Sequence, residues 1–470
     1  MKSNRLSGVF VYAIIAVMAL FFMLPEEAKA APGISSQPFG INYQDMLAYK
    51  AYKETHPNSK VTEAEWPGIE QLSYLQNQLT NRMETPDIYQ TRAEDYSLLS
   101  MMKKGYYVPL EGERFDDLAG AVYPQIAEYI TRDGEVAMVP VRTYFPYLYQ
   151  ANPEIMEKIG MDDSEIPRTL IDLLQFAADW PETYGKDFPE YKGLYCFVGD
   201  PDVEERNFAA ALMMKAYLYS SIRSEDSVRY DTALFNQLLD AIDPFTQRVY
   251  EQADDHMSDI PQWGECLFYV SWGSSPFSNP NMKMLAPLPL DAQSPSVQPL
   301  MLTMAHLNPF GKAREEAAEL LSFFAKYPQP QTARIIGADR SPLEKPDFEE
   351  NQANYTRMLQ QANAVIDRLK DKERLSGQEE RDLKDAQFNL NVYAQYLRNA
   401  KYEIGPEQLT LYNARIAPWL YICGSSVYEA AGFAQQADRL MIQYLDGALP
   451  REQLIAELDN AVRLMALENQ

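Results

Sequence analysis

The sequence predicts an α/β protein whose sheets are covered by helices and whose last third is all helical. Three observations predict it. Helical and strand-like stretches alternate through the first two thirds of the 470 residues. Turn and cap residues separate them at the points where one period gives way to another. From about residue 351 onward only helical apolar stripes remain. At roughly 150 residues per domain, a chain of this length is expected to form two or three packed units.

The elements follow in order. Tyr43 to His56 (YQDMLAYKAYKETH) has apolar positions at helical spacing and stops before Pro57. Glu70 to Met83 is a second helix, with Leu72, Leu75 and Leu79 recurring at three- and four-residue steps. Pro86 to Tyr89 is a short strand ending. Leu98 to Lys104 is helical and stops at Gly105, a residue suited to the left-handed position past a helix end. Phe115 to Thr131 is helical but broken or kinked at Pro124. Asp133-Gly134 is a hairpin turn leading into a strand over Glu135 to Val141. Thr169 and Asp172 resemble a capping box that opens a helix over Leu170–Trp180. Ala313 to Lys326 (AREEAAELLSFFAK) is amphipathic.

The last third reads differently. Asn351 to Lys370 places Leu359, Ala362, Val365, Ile366 and Leu369 on one stripe. Ser376 and Glu379 form a second capping box, and the next helix runs to about Asn399 with Leu383, Ala386, Leu390, Tyr393 and Leu397 inward. Ser376-Gly377 is therefore the corner of a long helical hairpin over about 351–400. Val427 to Leu445 and Pro450 to Glu468 finish the chain as helices split by Asp446-Gly447. A helical repeat protein would need a fixed period, and none is present.

Composition narrows the function. The 42 basic and 67 acidic residues give a net charge of −25, which repels polyphosphate and argues against a nucleic-acid partner. An apolar content of 46% and aromatic content of 12% exclude a disordered acidic tail. Lys2 and Arg5 precede an apolar run from Leu6 to Leu24, Pro25 breaks it, and Ala28-Lys29-Ala30 has the small-x-small form of a cleavage site. Residues 1–30 read as a signal peptide cleaved near Ala30, with an uncleaved anchor as the alternative because the run is nearly long enough to span. The remaining chain carries 39 basic and 65 acidic residues, so the acidity belongs to the folded part. No second stretch is long and apolar enough to cross a bilayer, and an extracytoplasmic location is expected.

Several chemistries lack their motifs. Cys196, Cys266 and Cys423 are odd in number and form no C-x-x-C, so buried structural thiols are expected. His56, His256 and His306 are far apart and form no H-E-x-x-H, so no metal is expected. There is no P-loop, no dinucleotide fingerprint and no G-x-S-x-G elbow, and no cofactor is expected. Adjacent acids such as Asp116-Asp117, Asp162-Asp163, Asp254-Asp255 and Glu379-Glu380 read as solvated surface in a chain with this many carboxylates.

An ordered set of blocks then resembles a known family. Tyr52 to Val61 (YKETHPNSKV) is similar to a helix-Pro-strand start, Thr85 to Tyr89 (TPDIY) to a P-D-strand block, and Gly105 to Leu110 (GYYVPL) to a G-x-hydrophobic-x-x-L turn. Asp133 to Pro140 (DGEVAMVP) is similar to a D-G-K-x-Y-x-x-P hairpin with Glu135 and Ala137 substituted. Leu148 to Gly160, Thr169-Leu170, Ala313 to Lys326 and the C-terminal pair Tyr444 to Glu468 continue the order. The chain thus resembles the extracellular solute-binding proteins of the family-1 type, the substrate receptors of ABC importers. It has no lipobox cysteine, and Ile34 to Ile41 has little strand character where the family opens on an apolar strand.

The resemblance implies a two-lobe periplasmic-binding-protein-like fold (type II) with a helix-rich C-terminal extension. It implies a first lobe over 31–140, a second over 141–284, a return to the first over 285–340, and a second-lobe helical part over 341–470. It implies a non-enzymatic monomer that closes on a small ligand, a sugar above all, and delivers it to an ABC permease. Aromatic rings suit the C–H faces of sugars, and polar side chains suit their edges. Trp272 lies where similar receptors place an indole on the ligand, with a core position as its alternative. Trp263 has a weaker claim. Arg142 and Tyr144 fall where the chain crosses between lobes, where hinge packing is the alternative. Tyr89 and Gln90 end a strand at a candidate ligand edge. Asp87 reads as a turn brace, and Trp66, Trp180 and Trp419 as packing residues. A secreted glycan-active enzyme and an envelope sensor or interaction protein remain as other readings, the last suggested by the hairpin.

Overall fold

The computed structural model describes residues 33–36, 46–63, 71–84, 86–92, 97–197, 205–224, 227–253, 265–273, 275–277, 282–370, 372, 374–398, 401–429 and 431–468. The signal peptide expected over 1–30, Trp66 and Trp263 lie outside them. Thirteen strands are described. In chain order β1 is Ile34–Ser36, β2 Val61–Glu63, β3 Ile88–Arg92, β4 Thr131–Arg132, β5 Glu135–Val136, β6 Val139–Ala151, and β7 Lys192–Phe197. They continue with β8 Cys266–Gly273, β9 Lys283–Met284, β10 Gln298–Leu307, β11 Leu343–Glu344, β12 Tyr402–Ile404 and β13 Leu420–Ile422.

The main sheet has the order β2-β1-β3-β10-β6-β8-β7, with β13 on β10 and β9 on β6. Its long member, β6, changes neighbours along its length. Residues 139–144 pair with β10, and residues 145–151 pair with β8. The sequence contains Pro140 and Pro146 here, and each lies at a register irregularity, where a missing N–H costs no ladder bond. This is where expectation and structure differ. The strand expected over Glu135 to Val141 is a two-residue hairpin arm followed by a separate strand that runs on to Ala151.

Among the described residues two large hydrophobic cores result, beside a small third cluster of Cys266, Tyr269 and Met282. The first gathers Tyr52, Ile88, Phe145, Leu302, Leu321 and Tyr412, and the second Tyr149, Leu174, Tyr230, Phe235, Phe268 and Leu458. The chain passes between them at β6, β10 and β13, which lie side by side. Alternation along these strands feeds both cores. Leu300 and Leu302 join the first and Met301 the second, while Leu420 and Ile422 join the first and Tyr421 and Cys423 the second. Fully burying each such aliphatic or aromatic side chain contributes about 1.5–3 kcal/mol, so neither face of the junction is loosely held.

Packing places two stretches near the expected lobe boundaries in particular cores. Leu285, Leu290 and Val297 pack in the second core, so the return to the first core begins at β10 rather than at 285. Ile404, Leu409, Tyr412 and Ile416 pack in the first core, so the 341–470 part is divided between the two cores at β13. The cause is the β11–β12 pair, which brings the chain back beside Leu343 after the hairpin.

Local chemistry accounts for the helix ends. The expected stretch over 115–131 is two helices, Glu113–Ala121 and Pro124–Ile130, with Pro124 in the first turn of the second, where its missing N–H is harmless. Asp133 and Gly134 have φ of 53° and 88°, the two positive values a tight hairpin between β4 and β5 requires. Thr169 Oγ1 accepts the Asp172 N–H at 3.0 Å and caps Leu170–Asp179. The 351–400 hairpin is present as Phe348–Leu369 and Gly377–Arg398, with Glu379 N–H donating to Ser376 Oγ at 3.3 Å and Ser376 N–H to Glu379 Oε2 at 3.0 Å. Among its described side chains only Ala362, Leu369 and Ala386 are buried. Cys266 and Cys423 are buried free thiols, and the Cys196 side chain lies outside the described residues.

Candidate functional site

The junction strands present one polar face. Residues directly opposite in an antiparallel ladder point to the same side. Thr303 of β10 lies opposite Arg92 of β3 on one flank and Arg142 of β6 on the other. One step along, Met301 lies opposite Tyr144, and Ala305 lies opposite Gln90. Arg92, Thr303, Arg142, Tyr144 and Gln90 therefore share a face. Gln90 and Thr303 are buried, Arg142 and Tyr144 half-buried, and Arg92 exposed. Along this face Met301 belongs to the second core, against which Tyr144 packs, whereas Ala305, opposite Gln90, belongs to the first.

The two arginines converge on one ring. The guanidinium carbon of Arg142 lies 5.1 Å from the Tyr144 centroid, and that of Arg92 lies 5.7 Å from it. The result is a flat aromatic surface flanked by two cations, with an amide and a hydroxyl beside it. These residue types can donate to hydroxyl or anionic oxygens and pack an aromatic face on C–H groups.

Of the residues singled out from sequence, Gln90, Arg142 and Tyr144 come together here. Tyr89 does not. Its exposure is 0%, and it lies on the opposite face of β3, its ring 5.7 Å from that of His306 in the first core. Strand alternation separates it from Gln90, and Tyr89 packs in the first core. Burial pushes the His306 imidazole down to about 4, so it is neutral at ordinary pH, and its Nε2 makes no hydrogen bond. The Trp272 backbone lies next to the end of β8, between Ser271, which pairs with Leu148, and Gly273, which pairs with Phe145. Its side chain lies outside the described residues, as does all of Trp263.

Other residues behave as braces. Asp87 Oδ2 accepts Ser35 N–H at 2.8 Å and Ser35 Oγ–H at 2.7 Å, while Oδ1 accepts Ala313 N–H at 2.9 Å. It ties β1, β3 and the start of Arg314–Lys326 together. A Cβ at Gly311 would stand 2.9 Å from Asp87 Oδ1, so this corner needs glycine. Trp180 is buried and donates Nε1–H to Tyr191 O at 3.0 Å. Trp419, expected in a core, is 42% exposed beside β13, because its one-turn helix leaves Leu420 to enter the core instead.

Sequence reasoning missed Arg92, Thr303 and Glu429. Arg92 was within reach, since it stands two residues after Gln90 on the same strand and alternation puts both on one side. Thr303 sits in a strand whose ten residues are all buried, with no alternation to read. Glu429 is buried beside the third crossing. Its Oε1 accepts Gly424 N–H at 2.9 Å and its Oε2 accepts Ser426 N–H at 3.0 Å. Burial pushes its carboxyl up to about 7 against these bonds, which favour the charged form. Among the described residues no group of three His, Cys, Asp or Glu side chains converges as a metal site would require. A cavity of about 10 Å³ bordered by Tyr147, Ser220, Leu290 and Val297 has room for one water and none for a sugar.

No protein-family model matches the sequence, and none of the curated proteins matches it. Solved structures do match the fold. A sugar transporter protein from Rhizobium etli, in an open conformation, aligns over 92% of this chain and 99% of its own at 12% identity and a TM-score of 0.53. A protein of xylan utilisation from the thermophilic bacterium Caldanaerobius polysaccharolyticus aligns over 91% and 98% at 13% identity and a TM-score of 0.53. An ABC substrate-binding protein from Listeria monocytogenes, in complex with cycloalternan, aligns over 92% and 98% at 10% identity and a TM-score of 0.51. At these identities the likeness shows the fold, and the chain has the two-lobe, periplasmic-binding-protein-like α/β architecture of such proteins, with a helix-rich C-terminal part.

Proposed function

We propose that the protein is an extracytoplasmic solute-binding receptor that captures a sugar between its two lobes and hands it to an ABC importer. The observation that carries this is the polar face of Gln90, Arg92, Arg142, Tyr144 and Thr303 on the strands that join the two cores. A ligand seated there would touch both lobes at once and favour whichever arrangement brings them together. The fold likeness to proteins described as sugar transporter and ABC substrate-binding proteins supports the same reading. Trp272 is proposed as a further ligand contact from its place on β8, and the exposed indole of Trp419 beside β13 is a second aromatic candidate. No catalytic step is proposed. Export rests on the leader at 1–30, and the protein acts as a monomer that meets a membrane permease.

Isothermal titration and thermal shift against a panel of mono- and oligosaccharides test the proposal. The expected result is saturable binding of at least one sugar with a raised melting temperature and the sugar recovered unchanged. Consumption of the sugar would make the protein an enzyme, and no response to any sugar would remove the receptor reading.

A further inference from the structure

We infer that Glu429 couples sugar capture to the release of a proton, because its carboxylate takes a hydrogen bond from Tyr129 as the lobes close; the inference rests on the receptor reading above and adds regulation to it. Tyr129 sits on the helix Pro124–Ile130 and packs in the first core, 4% exposed. Its hydroxyl makes no hydrogen bond. A buried hydroxyl left unpaired is costly, and native structures keep few of them. Glu429 lies on the other side of the junction. The strand before it gives Tyr421 and Cys423 to the second core, and its neighbour Tyr428 packs there as well.

The two groups already act on each other. The helix of Tyr129 packs against β13. Burial pushes the Tyr129 phenol up, Arg132 over its ring pulls it back, and the Glu429 carboxylate pushes it up again. The field of the carboxylate therefore reaches the hydroxyl. Glu429 accepts three hydrogen bonds here, from Tyr421, Gly424 and Ser426. An ionised carboxylate has about four acceptor sites, so it can take one donor more. The other titratable groups around it are engaged. Tyr421 donates to it, and Cys423 Sγ meets the Tyr219 hydroxyl of the helix Glu205–Arg223 at 3.5 Å. The helices Ala431–Leu445 and Arg451–Glu468 turn apolar Phe433, Ala437 and Leu458 into this core. Among these groups Tyr129 is the donor left over.

The sign follows from which lobe each residue rides on. Arg92 on the polar face is exposed, so that face is not enclosed in the arrangement described. Binding sites bury most of a small ligand, so capture draws the lobes together and changes the separation of Tyr129 and Glu429. Approach satisfies the hydroxyl, whereas retreat would leave it an orphan in both arrangements. A donor on the carboxylate favours its charged form. Burial holds the Glu429 carboxyl at about 7, so it is partly protonated at neutral pH. Closure lowers that value and expels a proton. By reciprocity, sugar binds more tightly above pH 7 and more weakly as pH falls.

The test uses the chain without residues 1–30 and the tightest-binding neutral sugar of the panel above, with maltotriose, xylotriose and cellotriose included. A neutral probe brings no titration of its own. Calorimetry in two buffers of different ionisation enthalpy is expected to show about 0.3–0.5 proton released per sugar near pH 7, and affinity about three- to tenfold tighter at pH 8 than at pH 5.5. Tyr129→Phe is expected to keep its melting temperature, because the lost hydroxyl bonds nothing, and to bring the release near zero and the affinity ratio within about twofold of one. Glu429→Gln is expected to flatten both readings in the same way. Should that variant fold poorly, the unaltered protein and Tyr129→Phe decide. A flat profile, proton uptake, or a release that survives in Tyr129→Phe would overturn the inference while leaving a sugar receptor in place. Lower melting of Tyr129→Phe would show the hydroxyl already bonded through water and would overturn it too. Binding of no sugar at all would remove the receptor reading with it.

Discussion

The Tyr421 hydroxyl donates to Glu429 Oε2 at 2.5 Å, across the last passage of the chain between its two cores. Tyr421 belongs to β13, and Glu429 caps the turn that follows it by accepting from Gly424 and Ser426. The buried carboxylate thus fixes how the chain leaves the junction and enters the second core. Replacing Tyr421 by Phe removes the hydroxyl donor from a buried acid. We expect a loss of about 1.5–3 kcal/mol in unfolding free energy, read by urea titration at neutral pH.

Glu429 and His306 make opposite contributions to pH dependence. The folded carboxyl titrates at about 7 against an ordinary 4.5, so its contribution to stability is complete below pH 4.5 and is lost as pH rises through 7. The folded imidazole titrates at about 4 against 6.5, so its contribution is complete above pH 6.5 and is lost as pH falls toward 4. The two slopes cover nearly the same window with opposite sign. Relative to the unaltered protein, Glu429→Gln should make stability rise with pH between about 4.5 and 7, and His306→Phe should make it fall between about 4 and 6.5. Urea unfolding across about pH 4 to 8 measures both, and parallel curves for the two variants would refute the opposition.

Asp87 was legible from its position in TPDIY, and its environment makes it a structural residue whose loss is felt far from any ligand. Three donors converge on one carboxylate that is 3% exposed. Asp87→Ala leaves the Ser35 and Ala313 N–H groups without this acceptor. A destabilisation of about 2–4 kcal/mol is expected, with sugar affinity per folded molecule unchanged. A variant as stable as the original would mean that water replaces the carboxylate at this corner.

How much of this was written in the sequence depends on the range of the interaction. Asp133-Gly134, Thr169, Pro124 and Ser376 act on neighbours within four residues, and their roles are readable because the chemistry is local. The lobe junction is not local. Its strands β6 and β10 are buried nearly throughout, so they lack the polar alternation that announces a sheet face. The two prolines of β6 suggest an ending, and only the register shifts beside them reveal that the strand continues. Tyr89 and Gln90 are adjacent in sequence and lie on opposite faces, so a site assigned by segment spans both sides of the strand. Ile404 to Ile416 follow the hairpin in sequence, but the distant β11–β12 pairing decides which core they join.

That same pairing makes the hairpin removable. Lys345 N–H donates to Lys401 O at 3.1 Å, and Leu343 pairs with Ile404, so the chain is closed at the base before the helices begin. Above the base the helices hold each other, with Tyr355 stacked on Tyr396 at 4.8 Å and 11°. Met358, Phe388 and Tyr396 are left exposed. Little of the hairpin's apolar surface is therefore shared with the two cores. Replacing residues 348–398 by a glycine-serine link of about four to six residues should shift melting by no more than about 3 °C, because the closure the link must make is already paired on both sides. Sugar affinity should be unchanged, since the face of Arg142, Tyr144 and Gln90 is built entirely from β3, β6 and β10. Differential scanning calorimetry and sugar titration on the shortened chain check both expectations. A broad or missing transition would mean that the hairpin belongs to the cooperative unit, whereas a sharp one with intact binding would make it an appendage of a complete receptor.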